Sequence, residues 1–428
     1  MKKIWIINHY ATKMPDEKSG RHYIFSKFLK SHGYDVTIFC SNVFHGENRK
    51  VDLNGELYKT SYTDYSRIIF VKSSMYKKNN LRRIFNMLSF YKNSKKTMMK
   101  LIRNNDKPDV IIASSVHPLT LLAGIKIGKK HNIPIISEIR DLWPESLVAY
   151  NITNNKNHFL KLLYIGERWL YVKSDKLIFT MEGCKEYIKN KKWDIENGGK
   201  IELEKVHYIN NGIDLETYQY NKEIFQLNDS ILNSEKFKVV YIGSIRKVNQ
   251  VSILLDVAEE VLKSNDFEFI IFGDGNEKEL LIESAKARGL VNVFFMGRVE
   301  NKFIPYILSK SNLNIILGTS NSVLKYGLSA NKLFDYIASG KPIIQTFQTG
   351  YSILEKYQLG CEIKTLNSSA ITNELIKFKN FSKDDYCEIY KRSRVAITEF
   401  DYRNLTSELV AIIESLINPK EDLFNDNM

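Results

Sequence analysis

Along the chain, short runs of β-branched and aromatic residues alternate with longer stretches whose apolar positions recur every three or four residues. The runs predict strands, and the stretches between them are long enough for the helices that cover parallel sheets. In the first half, strands are expected at Ile4–Ile7, Val36–Phe39, Ile68–Val71, Val110–Ala113, Ile133–Ser137, Leu177–Thr180 and Val206–Ile209. A polar stretch from Asn210 to Glu235 interrupts the pattern, which restarts at Phe237–Ile242, Phe267–Phe272, Val293–Met296, Leu313–Leu317 and Pro342–Gln345. Val251, Leu254, Val257, Ala258, Val261 and Leu262 keep helical spacing and mark one amphipathic crossover helix. Two Rossmann-like, doubly wound parallel α/β sheets follow. Residues 1–211 are expected to form the first domain, 212–235 a linker and 236–400 the second domain, with 401–428 a terminal helix returning to the first. Ligands of such folds sit at the carboxyl ends of strands, so the expected site is a cleft that the two sheets face.

The length of 428 residues agrees with two domains. A 43% hydrophobic, 26% charged composition excludes disorder, collagen and coiled coil. Cys40, Cys184, Cys361 and Cys387 form no CxxC or Cys/His spacing, which argues against a disulfide framework or structural zinc and suits a reducing cytoplasm. The opening MKKIWIINHY is too short in apolar residues for a signal peptide, and Val110–Gly128 is broken by His117, Pro118 and Lys126. Any membrane contact is therefore expected to be peripheral.

Charge changes this picture regionally. The chain carries +13, and from Lys72 to Lys107 eleven cations stand against Asp106 alone, so this segment holds +10. Within it Leu81, Ile84, Phe85, Leu88 and Tyr91 make an apolar stripe opposite Arg82 and Arg83, which suits a helix lying on an anionic membrane surface. Unbroken, the helix would bring Lys92 and Lys95 near the stripe, so a break near Asn93 and Ser94 is expected. The alternatives are a solvated helix packed on its own sheet, or a nucleic-acid surface. No recognised nucleic-acid module accompanies it, and no nucleic-acid partner is expected.

The densest chemical signal is YGLSANKLFDYIASGKP, Tyr326 to Pro342. A loop of small residues leads into a short helix that stops at Gly340 and Pro342, with Ser329 expected as its N-cap. Helix N-termini expose unpaired N–H groups, a ready place for phosphate, and Lys332 adds a full positive charge. Asp335 shares a helical face with Asn331 and could accept hydrogen bonds from two ribose hydroxyls. Together these describe a nucleoside diphosphate. The plainer alternative is a capped helix with a solvated aspartate.

This stretch resembles the retaining glycosyltransferases of family 4, which have the two-domain GT-B fold, and the resemblance covers nearly the whole chain. The family pairs two acidic residues eight positions apart. Here the second is Asp335, while the first position is Gly327. A Gly in that place is shared by a branch that includes O-antigen and capsule L-fucosamine transferases, although Ala330 replaces that branch's proline. The resemblance implies that the loop Gly243 to Lys247 faces the diphosphate; the family's Arg and Lys fall on Ser244 and Asn249, leaving Arg246 and Lys247 as substitutes. It places Gly273 and Gly275 in a nucleotide-side loop, Arg298 and Val299 at the base, and Ser19 and Gly20 in a glycine loop facing the diphosphate. His117, just after a strand, would contact the donor sugar. Glu138, Arg140 and Asp141 would meet the acceptor, or else Arg140 pairs internally with Asp141 or Glu145 and braces the loop. Asn211 to Asp214 resembles the family's hinge entry.

The resemblance implies transfer of a sugar, an N-acetylated hexosamine or 6-deoxyhexosamine, from a UDP-linked donor to an undecaprenyl-diphosphate-linked saccharide in O-antigen, capsule or exopolysaccharide synthesis. It implies retention, a peripheral position on the cytoplasmic face of the inner membrane, and departure of a diphosphate whose growing charge Arg246, Lys247, Lys332 and the helix N-terminus offset. No DxD triplet occurs in the sequence, so no metal cofactor is expected. A UDP-sugar 2-epimerase of the same fold is the rival enzyme. A dehydrogenase is disfavoured because no GxGxxG follows the first strand.

Overall fold

The computed structural model describes residues 1–76, 81–115, 117–149 and 158–418. Lys77 and Lys78 of the basic segment, and residues 419–428 of the expected terminal element, lie outside the described residues. The chain divides into two compact units, Met1–Asn210 with Tyr402–Met428, and Asn211–Asp401.

The first unit is built on β1 (Lys2–Ile7), β2 (Tyr34–Ser41), β3 (Tyr58–Tyr62), β4 (Arg67–Val71), β5 (Val110–Ser115), β6 (Ile135–Ile139), β7 (Lys176–Phe179) and β8 (Val206–Tyr208). Their order is β3-β4-β2-β1-β5-β6-β7-β8. Strands pair in parallel except β3, which runs antiparallel to β4 at the edge. Its polar sequence YKTSY buries little, which is why hydrophobic patterning does not reveal it. Successive strand residues face opposite helices. Ile4, Ile6, Val110 and Ile112 pack with Phe25 and Phe28 of the helix Arg21–Ser31 and with Tyr402, Leu405, Leu409 and Ile413 of the helix Tyr402–Ile417. On the other face, Gly124 of the helix Pro118–His131 lies so close that a Cβ there would stand 2.8 Å from Ala113 Cβ and 3.6 Å from Ile7 Cδ1. That helix is packed in turn against the helices Leu81–Arg103 and His158–Lys173.

The helix Leu81–Arg103 is continuous, and the break expected at Asn93–Ser94 does not occur. Its buried face is Asn86, Phe90, Ser94, Thr97, Met98 and Leu101. Lys95 is accommodated without a break because its stem bends back along the helix, placing Nζ 3.3 Å from Tyr91 Oη and 4.8 Å from the ring centroid.

The second unit holds β9 (Phe237–Ile242), β10 (Phe267–Phe272), β11 (Val293–Gly297), β12 (Leu313–Ile316), β13 (Ile343–Gln345) and β14 (Gly360–Glu362), in the parallel order β11-β10-β9-β12-β13-β14. Residues 212–235, expected to be a linker, belong to this unit. Asp214 caps the helix Leu215–Ile224 by accepting from Thr217 N, and Tyr218 and Leu232 are buried in the core with Phe334 and Ile337. Few apolar anchors in a polar segment suffice for one-sided packing, so it reads as a connection.

In each sheet the direction of winding reverses once, between β1 and β5 and between β9 and β12. Loops leaving such strand pairs diverge and open a crevice at the carboxyl edge. In the second unit this edge is a stack of backbone. Gly273 has φ +145°, and a Cβ there would stand 1.8 Å from Gly243 O; one on Gly275 would stand 2.0 Å from Ile245 O. Replacing Gly273 by Ala is expected to lower stability in urea titrations by more than about 2 kcal/mol, since backbone must move to admit it. Gly289→Ala, at a positive φ of +64° with nothing within 4 Å, should cost only about 1 kcal/mol.

Candidate functional site

The second unit's site is assembled from loops after β9, β10 and β12. Gly243 N donates to Phe272 O (3.0 Å), Gly273 N to Gly297 O (2.8 Å) and Ile245 N to Asp274 O (2.9 Å), locking the loops edge to edge. Lys332 closes the open side: a Cβ on Gly243 would be 2.6 Å from its Nζ. That ammonium lies 3.5 Å from Tyr241 Oη and 4.5 Å from the ring centroid, a cation–π contact. Burial lowers the Lys332 pKa to about 8.

Lys332 opens the helix Asn331–Ser339, whose N-cap is Ala330 and not the expected Ser329. The reason is long-range. Asn211 Nδ2 holds the Ser329 carbonyl at 2.9 Å, setting Ser329 one residue ahead of the cap, and its Oγ is buried without a hydrogen-bond partner. Among the described residues no side chain caps the first turn, and no acidic residue lies in it. The helix is anchored to β9 by Ile242 N donating to Tyr336 Oη at 2.8 Å. Asp335, half-buried one turn along, is pushed up to about 7 by burial. Among the described residues Lys332 and Asp335 form no ion pair, although three positions separate them. The arrangement therefore presents an uncapped helix end with an ammonium beside it and a carboxyl one turn deeper, which suits an anion joined to a hydroxyl-bearing group.

Other expected residues of this unit fall around that core. Arg246 and Lys247 are exposed on the loop that follows Ile245. Ser244 and Asn249 brace the same loop, with Asn249 Nδ2 donating to Ser244 O (2.6 Å) and Oγ (2.7 Å). Arg298 is exposed just past β11, and Val299 packs against the hydrophobic core.

In the first unit, β1 and β5 pair in register at Ile7 and Ala113, so the loops that follow them meet. His117 N-caps the helix Pro118–His131 by position, and its Nε2 lies 2.5 Å from His9 Nδ1. Burial and then Arg83 lower His117 to about 3, and burial, His117 and Arg83 hold His9 well below its ordinary value. Both imidazoles are thus neutral at physiological pH. Among the described residues the buried His117 Nδ1 has no hydrogen-bond partner. His9 stacks on Phe90 and Tyr10 at 4.3 and 4.5 Å. Arg83, expected to face a membrane, instead reaches over the Tyr10 ring (5.5 Å) and donates to its Oη at 3.1 Å, whereas Arg82 and Phe85 are exposed.

Glu138, expected at an acceptor surface, is buried inside the sheet edge. It accepts from Arg21 Nε (2.7 Å), His22 Nε2 (2.9 Å) and Ser114 Oγ (2.6 Å). Arg21 also donates to Asn210 O (2.5 Å) and Ile209 O (2.9 Å), tying the end of β6 to the chain after β8. Burial alone would raise Glu138, but Arg21, His22 and Arg140 hold it well below the usual carboxylate range. A carboxylate so enclosed is a structural tie. Arg140 is half-buried and Asp141 exposed, while the Glu145 carboxylate is taken by Lys191 and Tyr164, each at 2.5 Å. Ser19 is half-buried, and Gly20, with φ +95°, is the N-cap of Arg21–Ser31. Sequence reading missed His9, Arg21 and His22. The signal available for His9 was its place directly after β1, matching that of His117 after β5.

Residues 236–397 match the family model described as glycosyl transferases group 1, and residues 23–217 match glycosyltransferase family 4. The chain is a glycosyltransferase. With parallel-sheet α/β units covered by these two models, it belongs to the GT-B glycosyltransferases. It is 26% identical over 155 residues, 36% of this chain, to TuaH of Bacillus subtilis (strain 168), named for a glycosyltransferase of teichuronic acid biosynthesis. The match spans about 37% of that relative's length. Among solved structures it is similar to sucrose-phosphate synthase from Thermosynechococcus elongatus (TM-score 0.70, 14% identity, 97% and 99% of the two chains). It is also similar to Anabaena HepE in complex with UDP-glucose (TM-score 0.64, 14% identity, 97% and 100%). At these identities the likeness is one of fold.

Two predictions follow from the buried charges. Glu138→Ala leaves Arg21 enclosed without its partner and should cost about 3–5 kcal/mol in urea unfolding. Asp335 has a folded pKa near 7, above its ordinary 3.8, so the folded state binds the extra proton between those values and stability falls as pH rises through that window. Asp335→Asn should therefore stabilise the ligand-free protein by roughly 2 kcal/mol at pH 8 and leave it unchanged near pH 3.5, read from melting curves across pH.

Proposed function

We propose that this glycosyltransferase takes a UDP-linked sugar and transfers it, with retention, to a saccharide carried on undecaprenyl diphosphate. The observation that carries the donor reading is the uncapped start of Asn331–Ser339, with Lys332 against Gly243 and Asp335 one turn along and no ion pair between them. In this reading the helix N–H groups and Lys332 hold the diphosphate, and Asp335 accepts from the ribose hydroxyls. Arg246 and Lys247 close over the phosphates from the exposed loop and offset the charge of the leaving group as the glycosidic bond lengthens. Gly273 and Gly275 keep the nucleotide-side loop thin, and Arg298 and Val299 flank the base. In the first unit the unfilled Nδ1 of neutral His117 is offered to a hydroxyl of a bound sugar. HepE, a neighbour in fold, was solved with UDP-glucose, which supports the choice of nucleotide.

The acceptor reading rests on the resemblance to the O-antigen and capsule L-fucosamine branch and on the name of TuaH, which points to cell-surface polysaccharide. It assigns the sugar as an N-acetylated hexosamine or 6-deoxyhexosamine and gives Arg140 and Asp141 the acceptor side. Among the described residues no helix is long and apolar enough to cross a membrane. We place the enzyme peripherally on an anionic membrane surface through Arg82, Phe85 and their exposed neighbours on Leu81–Arg103.

Calorimetry with UDP, GDP, ADP and CMP checks the donor. UDP is expected to bind most tightly, and Asp335→Ala to weaken it at least tenfold, about 1.4 kcal/mol. Unchanged UDP affinity in Asp335→Ala would remove the ribose assignment, and preference for another nucleotide would remove the donor.

A further inference from the structure

The helix His158–Lys173 carries a second exposed apolar stripe. Leu160, Glu167, Leu170 and Tyr171 are buried, while Phe159, Leu162, Ile165 and Trp169 are exposed at spacings of three, three and four, a single helical face. Ile165 is 64% exposed and Trp169 42%. This helix packs on Pro118–His131, which packs on Leu81–Arg103 with its own exposed Leu81, Ile84, Phe85 and Leu88. The two stripes thus flank one intervening helix.

Charge identifies what covers them. The three helices carry seven, three and three Lys and Arg residues, against one acidic residue, Glu167. Glu167 is enclosed by the hydroxyls of Tyr171 (2.7 Å) and Tyr187 (2.9 and 3.0 Å) and adds no surface charge. A second copy docked symmetrically on this face would set one cationic surface against another. An anionic bilayer neutralises the cations and buries both stripes, and Trp is favoured at its interface. We propose that His158–Lys173 is a second membrane-contact element, inserting Leu162, Ile165 and Trp169 into the interface of an anionic bilayer beside Leu81–Arg103.

This rests on the membrane reading above, and one experiment separates the two. The full chain is sedimented with vesicles of phosphatidylcholine alone and with 40% phosphatidylglycerol, as wild type, as Leu162→Glu with Ile165→Glu, and as Arg82→Glu with Phe85→Glu. All substituted side chains are exposed, and melting by circular dichroism checks the fold. The expected result is binding to the anionic vesicles only, at least tenfold weaker for Leu162→Glu with Ile165→Glu. A blue shift of Trp emission on binding, lost in Trp169→Phe, is expected as well. Undiminished binding of Leu162→Glu with Ile165→Glu, with binding lost in Arg82→Glu with Phe85→Glu, would overturn this inference and leave the first helix as the contact. No binding of the wild type would overturn both. A wild-type dimer that Leu162→Glu with Ile165→Glu turns into monomer would assign the stripe to self-association and overturn the lipid occupant.

Discussion

The second unit depends on backbone lying directly against backbone at the carboxyl edge of its sheet. Gly273 and Gly275 leave no space for a Cβ between consecutive loops, and the loops are locked by N–H to carbonyl bonds 2.8–3.0 Å long. Because the loops are this thin, a helix following β12 can bring its first turn to the end of β9, and Tyr336 holds it there. The placement of that first turn thus depends on steric exclusion at Gly273 and Gly275.

The two units handle buried charge in opposite ways. Glu138 is surrounded by Arg21, His22 and Ser114, each within 3 Å, so its charge is fully answered inside the protein. Lys332 and Asp335 are each shifted toward neutrality by burial, and neither answers the other. Satisfied groups hold a fold together; groups left wanting a partner are where a ligand supplies the missing interaction. His117, neutral and short of one hydrogen bond, belongs with the second kind.

Elements with strong hydrophobic contrast were legible in the sequence, and those that bury little were not. The apolar runs of β1, β5, β9 and β10 stand out, whereas β3 is a polar edge strand, β14 is three residues long, and Leu215–Ile224 needs only a few anchors. At the site, Gly243, Lys332 and Asp335 could be read because they lie in compact local motifs. The Ser329 cap could not, since Asn211, distant in sequence, decides which residue takes the cap position. Nor could the roles of His9, Arg21 and Glu138, which arise only when β1, β5 and β6 become neighbours. The resemblance supplied the GT-B fold; it did not supply the burial of Glu138 or the inward turn of Arg83.

One feature of chain order bears on biosynthesis. The core around β1 is completed by Tyr402, Leu405, Leu409 and Ile413, some four hundred residues downstream. The segment made first cannot complete its core until this helix is made, while Asn211–Asp401 contains all its own strands. The half of the enzyme begun first is therefore the half finished last, and a chain cut short before residue 402 would carry a second unit with all its strands tethered to an unsealed first.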